Sequence, residues 1–337
     1  MMEKRSTFLL EVENLKTYFF TRRGVIKAVD GISFYVKKGE TMGLVGESGC
    51  GKTMTGLSLL RLVPEPAGRI VEGRIIFEGE DVLKKSPTEM RKIRGSKISM
   101  ILQDSMTSLN PSFRIGDQVG EVIRLHGMVR GKTLLQKVIE TLRLVRIPDA
   151  EIRIRDYPHQ MSGGMRQRVT GAIALSCQPS LIIADEPTTS LDVTIQAQYL
   201  RLLKELQEQT KTSLLFITHD FGIVARMCDR VAVMYAGKIV EEAETRDIFD
   251  NPRHPYTRAL MSCLPKIEVQ LKILATIDGQ PPESGDLPPG CRFAPRCSEV
   301  SEKCWRDYPP QTVVGRDHDV SCWNVHQYQD GESNRGS

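Results

Sequence analysis

The stretch Gly46-Glu47-Ser48-Gly49-Cys50-Gly51-Lys52-Thr53 limits the architecture of this chain more than any other. One glycine, four free positions and Gly-Lys-Thr form a loop whose backbone amides wrap a phosphate. The pattern needs a buried strand before it and a helix N-terminus after it, where unsatisfied N–H groups attract anions. Both flanks suit: Met42 to Val45 reads as the end of a buried strand, and Met54 to Leu62 as a helix. In that setting Lys52 reaches the terminal phosphates, and Thr53 holds the magnesium ion that travels with ATP or GTP.

The rest of the chain supplies the sheet that such a loop requires. Leu9 to Val12, Ile32 to Val36 and Arg74 to Phe77 read as strands, the second by its alternation of apolar and polar residues. Ile98 to Leu102 is a short apolar run followed at once by Gln103-Asp104. Leu181 to Ala184 is a core strand that delivers Asp185 and Glu186 to its end, and Pro187 prevents its continuation. Ser213 to Ile217 is another, ending at Thr218-His219-Asp220. Helices fit between them: Ile195 to Gln209, with Ala197, Leu200, Leu203 and Leu206 as buried positions, and Phe221 to Met227. Strand and helix alternate as in parallel-sheet units, and open sheets of that kind bind ligands at the C-terminal ends of their strands. Gln103, Asp185, Glu186 and His219 all fall at such ends.

Residues 104–160 differ. Ile115 to His126 and the run Leu134, Leu135, Val138, Ile139, Leu142 and Val145 have helical spacing without strands, so this segment reads as a helical insertion. Ser162-Gly163-Gly164 follows, with Ser162 as the cap of a long helix and the glycines permitting close backbone approach to an anion. The chain already has one phosphate loop, so a second such terminus suits a nucleotide held by a neighbouring subunit. Two adjacent carboxylates suit phosphoanhydride hydrolysis: Asp185 on the metal side, Glu186 on the water side. His219 can donate to a phosphate oxygen, and the Gln103 amide can contact both metal and water without adding charge.

Six segments in this order resemble the nucleotide-binding subunit of an ATP-binding cassette transporter over residues 8–250. They are the Walker A loop Gly46 to Thr53, the Q-loop glutamine Gln103, the signature Met161-Ser162-Gly163-Gly164-Met165, the Walker B pair Asp185 and Glu186, the D-loop Ser190-Leu191-Asp192 and the switch His219. The resemblance implies that Phe19 stacks on adenine and that Asp192 communicates across a dimer. It also implies that two cassettes close head to tail over two ATP molecules, with Gly46, Ser48, Gly49, Gly51, Lys52 and Thr53 of one facing Ser162, Gly163 and Gly164 of the other. Met165 departs from the family's usual glutamine, while Ser162 and the glycine amides remain. Asn110-Pro111, the tract Asn251 to Thr257 and the cysteine-rich tail resemble the dipeptide and oligopeptide importer branch, which nickel importers share. That branch implies a sister ATPase (or a second copy), two transmembrane permease subunits and an extracytoplasmic solute-binding protein. A cassette acting on nucleic acid or ribosomes is the other class considered; such proteins often carry two cassettes or a long coiled coil, and neither is seen. A net charge of +4 gives no sign of a nucleic-acid partner.

The expected architecture is therefore α/β: a P-loop NTPase core with an antiparallel β subdomain and a helical insertion (residues 1–250), then a small cysteine-rich tail (251–330) that folds separately, with 331–337 disordered. Four of the eight cysteines, Cys291, Cys297, Cys304 and Cys322, crowd into that tail. No secretory leader is expected, since Glu3, Lys4 and Arg5 precede only a short apolar run, so disulfides are the weaker explanation. Four thiolates suit zinc or a four-iron, four-sulfur cluster, and the wide spacing favours the larger object. The resemblance carries the cluster over to these four positions. Trp305 and Trp323 stand beside two of them, as shields or as ordinary core. No apolar run is long enough to span a bilayer, so any membrane attachment comes through a partner, and the resemblance implies a peripheral place on the cytoplasmic face of the cell membrane.

Overall fold

The computed structural model describes residues 8–103, 108–127, 129–189, 191–264, 276–283 and 285–325. Asp104, Ser190, residues 1–7 and residues 331–337, on which the sequence raises expectations, lie outside the described residues. In chain order the strands are β1 (Phe8–Thr21), β2 (Gly24–Lys37), β3 (Thr41–Val45), β4 (Gly68–Phe77), β5 (Glu80–Asp81), β6 (Ile98–Ile101), β7 (Leu181–Asp185), β8 (Ser213–Thr218), β9 (Arg230–Tyr235), β10 (Lys238–Glu244), β11 (Thr312–Gly315) and β12 (His318–Val320). The helices are α1 (Lys52–Leu59), α2 (Pro87–Ile93), α3 (Ile115–Gly127), α4 (Gly131–Leu144), α5 (Ala150–Arg153), α6 (Gly163–Leu175), α7 (Val193–Thr210), α8 (Phe221–Met227), α9 (Thr245–Asp250), α10 (Pro255–Ser262) and α11 (Glu302–Arg306). Contacts divide the chain into two units, residues 1–10, 36–41 and 76–217 in one, and 11–35, 42–75 and 218–337 in the other.

The first unit is built on parallel strands. Ile98 to Ile101 of β6 pair with Leu181 to Ala184 of β7, and Leu181 to Asp185 pair with Ser213 to Ile217 of β8. Every residue of β7 and β8 is buried. Strands covered on both faces have no reason to alternate, which is why these are continuous apolar runs. Among the described residues of 108–160 there is no strand. Instead Ile115, Val119 and Ile123 of α3 and Val138 and Leu142 of α4 are buried at four-residue spacing, each helix offering one apolar stripe. On α7 the buried residues are Tyr199, Leu200, Leu202, Leu203 and Leu206. Ala197, expected inside, is exposed. The stripe is centred on the large Tyr199 ring, and that turns position 197 to the outer face.

The second unit carries the phosphate loop. Met42 to Val45 of β3 pair in parallel with Arg230 to Val233 of β9. β9 turns back into β10 through Ala236-Gly237, both at positive φ (43° and 85°), as a two-residue hairpin turn demands. β2, β1 and β4 lie side by side in another sheet. The sequence suggests a boundary near 250, but the contacts set no division there. Glu241 and Glu242 of β10 pair with Val320 and Asp319 of β12, and β11 pairs with β12 in turn. The last strands of the chain thus satisfy an edge of β10 that would otherwise be open. Among the described residues no helix is long and apolar enough to cross a membrane.

Candidate functional site

In the second unit, β3 is buried throughout and ends at Val45, where the phosphate loop begins. A Cβ on Gly46 would lie 2.1 Å from the Met234 carbonyl oxygen, and one on Gly51, at φ 108°, would lie 2.2 Å from that of Ala28. Only glycine fits at either place. Ser48 and Gly49 are exposed at the crest, Thr53 is half-buried, and Lys52 is buried at the first position of α1. Its Nζ donates to the carbonyl oxygens of Gly46 (2.8 Å) and Glu47 (2.9 Å), so the ammonium is folded back over the loop. Cys50 lies beneath, and burial pushes its thiol pKa up.

Glu47 is a position the sequence leaves free. In the structure its N–H donates to the Tyr256 hydroxyl (3.0 Å). Its carboxylate accepts both arms of the Arg296 guanidinium, Nη1 to Oε2 at 2.7 Å and Nη2 to Oε1 at 3.1 Å. Burial works against the charge of Arg296, yet the bonds to Glu47 and Tyr235 hold its pKa above the usual guanidinium value. A second arginine of the tail, Arg292, bonds Asp30 of β2 and the Ala236 carbonyl. The Tyr18 hydroxyl donates to the same Asp30. Neither arginine has a local sequence signal; each merely adjoins a cysteine. Phe19 is half-buried on β1, and a Cβ on Gly68 would come within 2.8 Å of its ring. His219 is exposed directly after β8, and Asp220 caps α8 by accepting from the amides of Gly222 (2.7 Å) and Ile223 (3.3 Å).

The first unit gathers another group. Asp185, the last residue of β7, is 1% exposed. Glu186 follows at φ 44°, a backbone region that non-glycine residues rarely occupy, with its N–H donating to the Ile217 carbonyl at 2.9 Å. Two donors converge on its Oε2: the Gln103 amide at 3.0 Å and the Thr189 hydroxyl at 3.0 Å. A strained carboxylate held by neutral donors is a group that the surrounding structure over-determines. Thr189 was not foreseen, although it lies three residues along the same turn.

Ser162 is exposed and caps α6, its hydroxyl accepting from the Met165 amide at 3.4 Å. The two glycines after it differ. A Cβ on Gly164 would meet Ile195 Cγ2 at 2.7 Å, whereas one on Gly163 would meet nothing within 4 Å among the described residues. Packing against α7 explains Gly164 and leaves Gly163 unexplained. Asp192 caps α7, accepting from the amides of Thr194 (3.1 Å) and Ile195 (3.0 Å).

In the tail, Cys291, Cys297, Cys304 and Cys322 line one small cavity together with His254, Phe293 and Trp323. All four are free thiols. Burial pushes Cys291 up to about 11 and Cys322 to about 12, and raises Cys297 as well. Among the described residues no group of His, Cys, Asp or Glu is gathered closely enough to hold a single metal ion. Trp323 borders the cavity, but Trp305 is 47% exposed and shields nothing.

Residues 29–189 match the family described as ABC transporter, and residues 240–304 match the oligopeptide/dipeptide transporter C-terminal region. The chain is 50% identical over 315 residues to the dipeptide transport ATP-binding protein DppD of Bacillus subtilis, covering 94% of each chain. The chain belongs to the ATP-binding subunits of the ABC transporter family. The cassette is also 49% identical over 315 residues to the oligopeptide transport ATP-binding protein AppD of the same organism, covering 94% of this chain and 96% of that one. Among solved structures, the dimeric post-hydrolysis state of the ATP-binding cassette MJ0796 bound to ADP and Pi matches with a TM-score of 0.62. That match has 25% identity and covers 70% of this chain and 99% of the other. The P-loop NTPase fold of an ABC cassette, with mixed α/β sheets, is thereby established.

Proposed function

We propose that this chain is the ATP-hydrolysing subunit that powers import of di- or oligopeptides through transmembrane partner subunits. The observation that carries the hydrolytic part is Glu186, held at the end of β7 by Gln103 and Thr189. Its carboxylate is the group to orient and deprotonate water. Lys52 and the amides of Gly49, Gly51 and Thr53 hold the phosphates, and Phe19 offers its ring to the base. Thr53 in one unit, and Gln103 and Asp185 in the other, each carry an oxygen of the kind magnesium takes. Magnesium, when bound, neutralises charge on the β- and γ-phosphates. His219 steadies the terminal phosphate.

Ser162 and Gly163 serve the nucleotide of a second cassette, and Asp192 stands near that junction. The support is Gly163 itself, a glycine whose added Cβ would touch none of the described residues within 4 Å. Met165 contributes its backbone amide to the Ser162 cap, a contact that does not depend on which side chain stands at this position. The second cassette is a sister chain, and the pair works on two permease subunits at the cytoplasmic face, fed by a solute-binding protein. The match of residues 240–304 to the peptide-transporter region supports peptide as the solute.

The four tail cysteines are the ligands of a four-iron, four-sulfur cluster. Their convergence on one cavity supports it. Zinc would draw its thiolates to about 2.3 Å from one point, whereas the wide spacing of the four cysteines along the sequence suits a larger object. Such a cluster, when bound, supplies a structural cross-link.

The test is ATP turnover by the transporter assembled with its partners. Glu186→Gln lowers kcat by roughly 10²–10⁴-fold with little change in ATP affinity; turnover at the parent rate would remove Glu186 from its role. Uptake of labelled dipeptide that stops with the same substitution ties the activity to import. Iron and acid-labile sulfide near four each per chain, lost in Cys291→Ser, checks the cluster.

A further inference from the structure

The phosphate loop carries a carboxylate of its own. Glu47 sits one residue after Gly46, and its carbonyl is one of the two that hold Lys52 Nζ. A negative side chain beside a polyphosphate site opposes the ligand unless its charge is cancelled. Arg296 meets it with a two-pronged ion pair while its own side chain is only 4% exposed. Buried pairs of this geometry are worth most when the remaining donors are also used. Here they are: Nε donates to the Asp278 carbonyl (3.0 Å) and Nη1 also reaches the Tyr235 hydroxyl (3.3 Å). The guanidinium lies 5.9 Å from the Tyr235 ring centre and 6.0 Å from that of Phe293. Tyr256 anchors the backbone of the same loop residue. Glu47 is therefore fixed twice, both times by residues that follow position 250.

We propose that Arg296 is a positioning residue for the nucleotide, acting through Glu47: it cancels the loop's one carboxylate and holds it, leaving the Lys52 ammonium and the loop amides to the phosphates. The inference rests on the reading that this loop binds ATP. It makes the tail part of the nucleotide site rather than an appendage to it. It also predicts a difference in sign that a purely structural ion pair would not produce. Losing the cation leaves a bare negative charge at the site, whereas losing the anion leaves a positive one.

The experiment is calorimetric titration of the full chain with ATP and magnesium, with melting temperatures recorded beside it. Arg296→Ala raises the Kd for ATP about tenfold, and adding Glu47→Gln to it restores affinity to within about threefold of the parent. Glu47→Gln alone binds at least as tightly as the parent, which keeps the test alive if Arg296→Ala does not fold. Arg296→Lys, which keeps the charge without the fork, loses less than Arg296→Ala. Parent affinity in Arg296→Ala, a double variant as weak as the single one, or weakened binding in Glu47→Gln would each overturn the proposal. Lys52→Ala separates the two readings. If it binds ATP as well as the parent, the phosphate-loop assignment fails; if it loses ATP while Arg296→Ala does not, only the present inference fails.

Discussion

Two helix N-termini in this chain, to which the proposed function assigns phosphate, are finished to different degrees. The one at Lys52 is closed by its own polypeptide: Gly46 and Gly51 press against the carbonyls of Met234 and Ala28, and Glu47 is gripped by Tyr256 and Arg296. The one at Gly163 is bare. Its cap Ser162 is exposed, and a Cβ on Gly163 would meet none of the described residues within 4 Å. A loop that must hold a ligand by itself needs every backbone position fixed in advance, since ordering it on binding would cost affinity. A terminus that needs only to be approached requires clearance instead. The contrast teaches that one terminus is fixed by its own chain and the other is left open, which is what the proposed pairing with a second cassette requires.

Substitution at three glycines puts that contrast under strain. Gly51→Ala has the largest effect: the added methyl collides with backbone at a positive φ, so stability falls by several kcal/mol and ATP binding is lost in titrations. Gly163→Ala is the counterpart. It leaves the melting temperature and ATP binding of the single chain unchanged, yet lowers turnover by the assembled pair by roughly tenfold to 10²-fold. Full turnover in that variant would show that nothing approaches Gly163. Gly164→Ala sits between, its methyl pushing on the movable Ile195 side chain, at about 1 kcal/mol in denaturant unfolding.

The smallest effect is one of pH. Burial pushes the Asp30 carboxyl up, but the Tyr18 hydroxyl, Lys238 and Arg292 more than reverse this and hold its pKa below the ordinary 3.8. A carboxyl lowered on folding adds stability that is complete above its unfolded value and drains away as pH falls below it. The melting temperature should therefore decline more steeply below about pH 4 in the parent than in Asp30→Asn. Equal slopes would show that the clamp at Asp30 carries no net charge effect.

How much of this the residues announced depends on the range of each interaction. The parallel strands were readable because burial on both faces leaves an uninterrupted apolar run, as in Leu181 to Ala184. Ser162 was readable as a cap because capping is settled within three residues. The Glu186 position followed from the strand end before Pro187. Long-range events left no mark. Arg296 and Glu47 are 249 residues apart, and Arg292 and Asp30 are 262 apart. No periodicity or spacing links such pairs. The pairing of β12 with β10 is equally invisible in composition, where the tail stands out only by its proline, glycine and cysteine content. Ala197 was misplaced for a nearer reason: helical spacing fits several stripes, and the size of Tyr199 selected one of them.

The distance between Glu47 and its partner also has a meaning in time. A ribosome makes the loop early and the arginine 249 residues later, an interval of about 12–50 s at roughly 5–20 residues per second. Until then the emerging chain exposes a phosphate loop whose carboxylate is unopposed. If the proposal for Arg296 holds, a polypeptide that has not yet reached this arginine binds ATP more weakly than one that has.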